Sequence, residues 1–486
     1  MTGLVGILLI VVGSELNDQV ATVALADIRG GLSISNDPGT WFESLYISAE
    51  VFGAGISPWF LMTFSLRRWA VAVAALAGIA GALVPWSPNE AALYALRIVE
   101  GVGGGAAFPL LLSAALRVLT PPTRLYGLAL YGLTATCTPA LAAPLAALWT
   151  NRVGWQFVFW EGVPVFTMAA ALVLAGVPRE PAQLERFRKI DWRGMVMLVA
   201  VFGPLTTVLF QGDRLDWFNS RLICVLSLVS VVGVPLFLLN EWFQEVPLFK
   251  LQLLSRRNLL FGLTELFLFL IVGQSSSTLP TRFLTQVQGF RPEQFAPLTG
   301  IVAAMQIVML PFMAWVLDHR RVDARAVNLL GLMLVISACV GCSFVTADWY
   351  PGQLILWQVV QGVGQPMVVM SLLMMSTNAI TNPADGPFAS ALINTPRMVA
   401  EATGAWLLDL IVRWRGGLHY SRIVDQLGAD NVRLGPRAGS LVQQQATVLT
   451  LSDAYLVLGC IALAAAVLLL LLTERTLPPR LQLARH

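Results

Sequence analysis

The amino-acid sequence predicts an all-α polytopic membrane protein with fourteen spanning helices, and three observations predict it. Of the 486 residues, 56% are hydrophobic and only 12% are charged, whereas a soluble domain carries about 25% charged residues. Fourteen stretches reach the roughly 20 apolar residues that a spanning helix needs. Lysine and arginine concentrate in alternate connections between those stretches. A water-soluble surface cannot be built from so few charges, which excludes a soluble enzyme and a disordered scaffold. The net charge of +3 is too small for nucleic-acid binding.

The expected spans are 3–28, 39–63, 69–86, 91–117, 124–148, 154–176, 193–211, 220–240, 258–282, 295–317, 326–346, 353–376, 388–412 and 451–473. Span 1 carries the polar run SELNDQ and span 9 the run GQSSST. Polar groups in hydrocarbon are tolerated where they face a cavity or a partner. With the N-terminus in the cytoplasm, the inner connections and the tail hold 18 of the 31 basic residues and the outer ones 11. Five of those 11 lie in the long loop 413–450, and long translocated loops weigh little in this rule. Both termini are therefore expected in the cytoplasm. The first span lacks a basic leader and a small-residue cleavage site, so it reads as a retained helix.

The five cysteines, Cys137, Cys224, Cys339, Cys342 and Cys460, all lie in apolar stretches, which argues against disulfides between loops. Cys339 and Cys342 have redox-motif spacing but no nearby charge to activate a thiol, so helix packing is the expectation. The three histidines, His319, His419 and His486, are scattered. No catalytic set, metal site or cofactor is expected.

The chain repeats itself. RIVEGVGGGAAF (Arg97 to Phe108) in span 4 and QVVQGVGQPMVV (Gln358 to Val369) in span 12 share a skeleton at an offset of 261 residues. The basic turn with Arg67 and Arg68 after span 2 has a counterpart after span 10 with Asp318, Arg320 and Arg321. Both landmarks pair two six-helix halves, with spans 7 and 8 inserted between them, as in transporters with pseudo-symmetric repeats. The expected divisions are 1–176, a linker with the inserted helices at 177–257, 258–473, and a tail at 474–486.

Ten acidic or basic side chains lie well inside spans, each costing at least about 2.5–3.5 kcal/mol at a helix centre. Glu15 and Asp18 are three apart on span 1 and share a face; Glu43 and Glu50 share a face of span 2. Arg97 and Glu100 lie on span 4, Glu161 on span 6, Glu265 on span 9, and Arg397 with Glu401 on span 13. In the first half, six carboxylates gather around the single Arg97, so some must hold a proton or face water. A carboxylate that exchanges its proton as access alternates is what proton coupling requires. Glu15 or Asp18, with Arg97 as partner, is the expected carrier; Glu50 follows, and Glu100, Arg397 and Glu401 complete the set. A static buried pair of Arg97 with Asp18 remains the alternative, and Arg397 with Glu401 reads equally as a structural pair. Glu43 and Glu161 lie where water is within reach.

VALADI (Val23 to Ile28), GTW (Gly39 to Trp41), Arg97-x-x-Glu100-Gly101, LDWFNS (Leu215 to Ser220), LPTRFLTQVQGF (Leu279 to Phe290) and Asn394-x-x-Arg397 follow one another along the chain. In that order they resemble the fourteen-helix drug–proton antiporter branch of the major facilitator superfamily, the EmrB-like multidrug exporters. The resemblance implies the major facilitator fold and proton-coupled export of small hydrophobic or amphipathic compounds across a bacterial inner membrane. It implies gating by the turns at Arg67, Arg68, Asp318, Arg320 and Arg321 and by Pro144 of span 5. It places Trp41, Tyr46, Phe108, Tyr131, Gln274, Ser275, Ser276, Gln361 and Met367 on cavity-lining helices, with Glu265 as a contact for cationic cargo or a group in an inner vestibule. It further implies a periplasmic adaptor (membrane fusion) protein and an outer-membrane channel as partners, with loop 413–450 as the docking segment or as a lipid-lying flap. The chain departs from the pattern in three places. The turn after span 2 has no acid, span 5 reads AAPLAAL (Ala142 to Leu148) where glycines are usual, and Asn17 stands where the branch has an aspartate. The alanine-rich span 5 keeps an importer or facilitator of a specific metabolite open as the second function; a membrane-embedded enzyme is disfavoured.

Overall fold

The computed structural model describes residues 2–119, 121–319, 322–378, 380, 385–427 and 436–472. Arg320, Arg321, His486 and the expected tail 474–486 lie outside them. The described chain is helical: α1 (Thr2–Val23), α2 (Leu25–Leu32), α3 (Asn36–Phe64), α4 (Leu66–Leu83), α5 (Glu90–Val118), α6 (Pro121–Leu148), α7 (Phe157–Trp160) and α8 (Gly162–Gly176) come first. Two helices follow, α9 (Trp192–Gln211) and α10 (Arg221–Phe243). The remainder is α11 (Arg257–Gly273), α12 (Thr278–Arg282), α13 (Pro292–His319), α14 (Ala324–Ser343), α15 (Pro351–Asn378), α16 (Gly386–Leu427) and α17 (Pro436–Leu472). Several helices start where a polar side chain caps the free backbone donors. Asn89 Oδ1 accepts from the Ala92 N–H at 2.8 Å, and Asp191 Oδ1 from the Gly194 N–H at 2.8 Å.

Thirteen of the described helical segments are long and apolar enough to cross a membrane. The remaining expected span, 388–412, lies in α16, which is less apolar because it carries Asn394, Arg397, Glu401 and Asp409. Those groups are accommodated because α16 packs among α3, α5, α11 and α17. The chain is thus a multi-pass membrane protein.

The same packing pairs recur in the two halves. Helices α4 and α5, α4 and α8, α1 and α8, and α1 and α6 are matched by α14 and α15, α14 and α17, α11 and α17, and α11 and α16. The repeated glycine motif serves one purpose in both. Gly103 of α5 sits against Ala77 of α4, and Gly364 of α15 sits against Gly331 of α14. The halves meet along two seams, α3 with α16 and α6 with α13, while α9 and α10 pair with each other and α9 lies on both α3 and α16.

Three expectations are corrected. SELNDQ does not interrupt span 1, because α1 runs unbroken to Val23 and its Glu15, Asn17 and Asp18 find partners on other helices; Leu25–Leu32 is a separate helix ended by Ser33 at φ 55°. Span 9 does break at its serines, but after α12 it continues through a π-helical turn to Val287. The supposed loop 413–450 is mostly helix. The 42 residues of α16 and the 37 of α17 correspond to about 63 and 55 Å at 1.5 Å per residue, far beyond a bilayer core of about 30 Å. Asp453 of α17 holds both Arg415 and His419 of α16 at 2.6 Å, which stitches the two extensions together. Cys137, Cys339 and Cys342 are buried free thiols.

The tightest crossing is α3 on α5, where a Cβ on Gly105 would collide with the Glu50 carbonyl and one on Gly53 with the Val102 carbonyl. Backbone approach of this kind is the way small residues join membrane helices. Gly105→Ala must force the helices apart. It is expected to destabilise the protein by about 1–3 kcal/mol, read as a lower melting temperature in detergent. Gly352→Ala, where a Cβ meets nothing within 4 Å, is the matched control and leaves the melting temperature unchanged.

Candidate functional site

The two intramembrane arginines build two similar clusters. Arg97 of α5 and Arg397 of α16 are each 1% exposed, and a buried guanidinium must be both paired and hydrogen-bonded. Arg97 bonds Glu100, one turn on, at 2.8 Å and Asp18 of α1 at 3.5 Å. Its guanidinium carbon lies 4.2 Å from the Phe42 ring and 4.1 Å from that of Tyr46. Arg397 bonds Glu401, again one turn on, at 2.9 Å and Glu15 of α1 at 3.5 Å. Its carbon lies 4.1 Å from Phe108 and 5.9 Å from Tyr131. Each arginine thus has a carboxylate from its own helix, one from α1, and aromatic faces that replace water around the cation.

The spacing on α1 explains the division. Residues three apart on a helix point about 60° apart, so Glu15 and Asp18 share a face yet diverge. Asp18 reaches into its own half, and Glu15 crosses to the other. This corrects the expectation that one arginine serves the whole acidic group, since the partner of Glu15 is Arg397. Gln19 donates to Glu15 at 3.5 Å, and Asn17 donates to Oε1 of Glu100, the oxygen that Arg97 leaves free. Glu50 of α3 is buried on the helix that packs against both α5 and α16, the two helices that carry the arginines. Five carboxylates then face two guanidiniums, and pairing alone cannot neutralise them.

A cavity of ≈ 400 Å³ opens between the halves above this set, a volume within the usual range for small-molecule sites. Glu15, Gln19 and Glu401 form its polar floor, and Arg282, Thr285 and Pro292 line it toward the end where α1 stops. Phe269, Leu270, Phe295 and Val302 supply apolar wall. Away from that end, Ser390 of α16 donates to the Pro109 carbonyl at 3.1 Å and Tyr131 donates to Asn394 at 2.7 Å, holding the halves together below the floor.

Of the residues expected to line a cavity, Gln274 and Ser276 do. The others lie elsewhere. Tyr46, Phe108 and Tyr131 stack on the arginines. Gln361 donates to Ser275 at 2.8 Å, which fixes the break in span 9, and Met367 is buried in the core. Trp41 is half-buried outside the lining. Glu265 is 1% exposed on α11 beside Asn328 of α14, inside its own bundle and away from the cavity. Glu161 accepts from the Trp149 indole and stands apart from both clusters. Among the expected gating residues, Arg67 donates to the Val177 carbonyl at 3.3 Å, Arg68 is exposed, Pro144 is half-buried within α6, and Asp318 is buried 3.5 Å from His319.

Sequence reasoning missed much of the cavity wall: Gln19, Thr22, Ser277, Thr281, Arg282 and Thr285. A signal existed. Ser277, Thr281 and Thr285 recur every four residues and mark one hydroxyl-bearing helix face. No sequence signal places Phe42 over Arg97.

A profile of the Major Facilitator Superfamily matches residues 7–405. The multidrug export protein EmrB of Escherichia coli K12 is 24% identical over 88% of this chain and 82% of its own. The fatty acid resistance protein FarB of Neisseria gonorrhoeae is 25% identical over 88% of this chain and 84% of its own. The solved proton:xylose symporter XylE superposes with a TM-score of 0.58 at 13% identity, covering 100% of this chain and 99% of the other. With paired packing in two halves, a cavity between them and a match over most of its length, the chain belongs to the Major Facilitator Superfamily.

Proposed function

We propose that the protein is a proton-coupled exporter of small hydrophobic or amphipathic compounds. One observation carries this reading. The cavity between the halves ends on Glu15 and Glu401, and both carboxylates share Arg397. Cationic cargo on that floor, a proton and the Arg397 guanidinium compete for the same two carboxylates, since protonating a carboxylate releases its hold on a cation. Because Glu15 reaches across from α1 and Asp18 does not, rocking of residues 1–176 against 258–473 changes the number of paired acids and hence the protons they hold. Glu50 lies where a proton passing between the clusters would rest. The printed name of the similar EmrB, a multidrug export protein, supports the direction of transport.

The arrangement fits a bacterial inner membrane with both termini in the cytoplasm, as the basic connections favour. The cavity then leads toward the periplasm. The projecting ends of α16 and α17 supply a surface there for a periplasmic adaptor and, through it, an outer-membrane channel. Arg67, Arg68, Asp318, Arg320, Arg321 and Pro144 are proposed to act in gating at the inner turns and in α6.

In inverted vesicles with an acid interior, ethidium is expected to accumulate against its gradient, and collapsing the pH gradient abolishes accumulation. Glu15→Gln and Asp18→Asn each lower proton-driven uptake by about tenfold or more, and Glu161→Gln leaves it unchanged. Wild-type coupling in both cluster variants contradicts the mechanism. Downhill flux indifferent to pH favours the facilitator reading.

Arg397→Ala strands two carboxylates in the interior and is expected to cost about 3–5 kcal/mol, visible as low yield of folded protein. Adding Glu15→Gln and Glu401→Gln restores the yield, because neutral amides need no counter-charge. If the triple variant is no more stable than the single one, the pairing does not hold the site.

A further inference from the structure

The connection between α9 and α10, residues 212–220, contains the LDWFNS motif that the transport reading leaves unused. It lies at the end of the molecule toward which the cavity runs, over the α3–α16 seam. Two adjacent residues of opposite charge leave it in opposite directions. Arg214 pairs with Asp37 at the start of α3 at 2.9 Å, and Asp213 pairs with Arg413 of α16.

Each grip is reinforced. On the α3 side, Gln211 is fully buried; its amide donates to Ser44 at 2.5 Å, and its oxygen accepts from Arg214 at 2.7 Å and from Thr40 at 3.4 Å. Ser48 of α3 meets Thr206 of α9 at 2.6 Å. On the α16 side, the Trp217 indole donates to Asp213 at 2.6 Å and its ring lies edge-on to Trp406 at 6.0 Å. Asp216 and Trp217 both have positive φ, 58° and 50°. A bulky residue in that region is a genuine outlier that persists only when its surroundings over-determine it. A lone exposed ion pair contributes little; here the two pairs are the outer ends of one knot with a buried amide and two strained residues.

We propose that this connection is a two-sided latch through which the inserted helices act on transport, with Asp213, Arg214 and Trp217 as positioning residues that hold the α3–α16 seam shut at the cavity end. Any motion that separates α3 from α16 there must break one grip, whereas opening the opposite end leaves both intact. The latch therefore weights the equilibrium toward the state closed over the cavity, and the inserted pair α9–α10 is a regulator of access. It touches neither the cavity floor nor the acids.

The test is a distance between spin labels at Asn36→Cys and Tyr420→Cys in lipid nanodiscs, with Cys224 and Cys460 replaced by serine. No cargo and no pH gradient are used, so the outcome is independent of the exporter reading. Arg413→Gln is expected to raise the ratio of long to short distances by about threefold, the scale of one strengthened surface pair, with an unchanged melting temperature. Asp213→Asn does the same, and the double variant widens the seam no further than either alone. In ethidium transport these variants change the maximal rate and leave the half-saturating concentration unaltered, a split that simple unfolding does not give. An unchanged distance distribution in Arg413→Gln overturns the latch. Additive widening in the double variant overturns the pairing on which it rests.

Discussion

A guanidinium cannot stay charged in hydrocarbon without partners, and two are buried among the described residues of this protein. Everything at its centre follows from that constraint. Each arginine recruits an acid from its own helix and another from α1, then covers its faces with aromatic rings. The apolar substitutes for water are residues such as Tyr46 and Phe108 that a sequence reader assigns to a binding cavity. Their work is to make a permanent charge tolerable at mid-membrane, and the cavity is built from other side chains above them.

In the proposed mechanism, helix α1 joins chemistry to motion. Its Asp18 belongs to an arginine in the same half, and its Glu15 belongs to an arginine 382 residues away in the other. A rocking motion leaves the first pair intact and strains the second. The halves are otherwise held by packing along two seams, with close glycine approaches inside each bundle keeping the bundles stiff. Stiff bodies joined by a few polar contacts are bistable, which is what alternating access needs.

Much of the fold was legible in the sequence, because hydropathy and helix length act locally. The repeated Val-x-Gly-Val-Gly skeleton disclosed the correspondence of α5 with α15. The least apolar span is α16, whose charges are satisfied by Glu401 of the same helix, Glu15 of α1, Arg282 of α12 and aromatic faces of other helices. The connection after it was misread for a related reason: Gly416 and Gly417 look like breakers, yet Asp453 of the neighbouring helix ties Arg415 and His419 and keeps α16 helical through them. The acids and arginines of the site were found from their cost in hydrocarbon. The pairs of Arg97 with Asp18 and of Arg397 with Glu401 were legible too, whereas that of Glu15 with Arg397 was not, because those two meet only once the two halves are assembled. The cavity wall lay between these cases, since the four-residue spacing of hydroxyls in the broken span was visible but was outweighed by its aromatic neighbours.

The central claim is that the proton load of the α1 acids depends on what occupies the cavity floor. Titration calorimetry of ethidium binding to the purified protein, repeated in two buffers of different ionisation heat, counts the protons exchanged on binding. The account predicts a net release by the unmodified protein and its loss in Glu15→Gln with binding retained. Equal proton counts for the two proteins, or none for either, would contradict it.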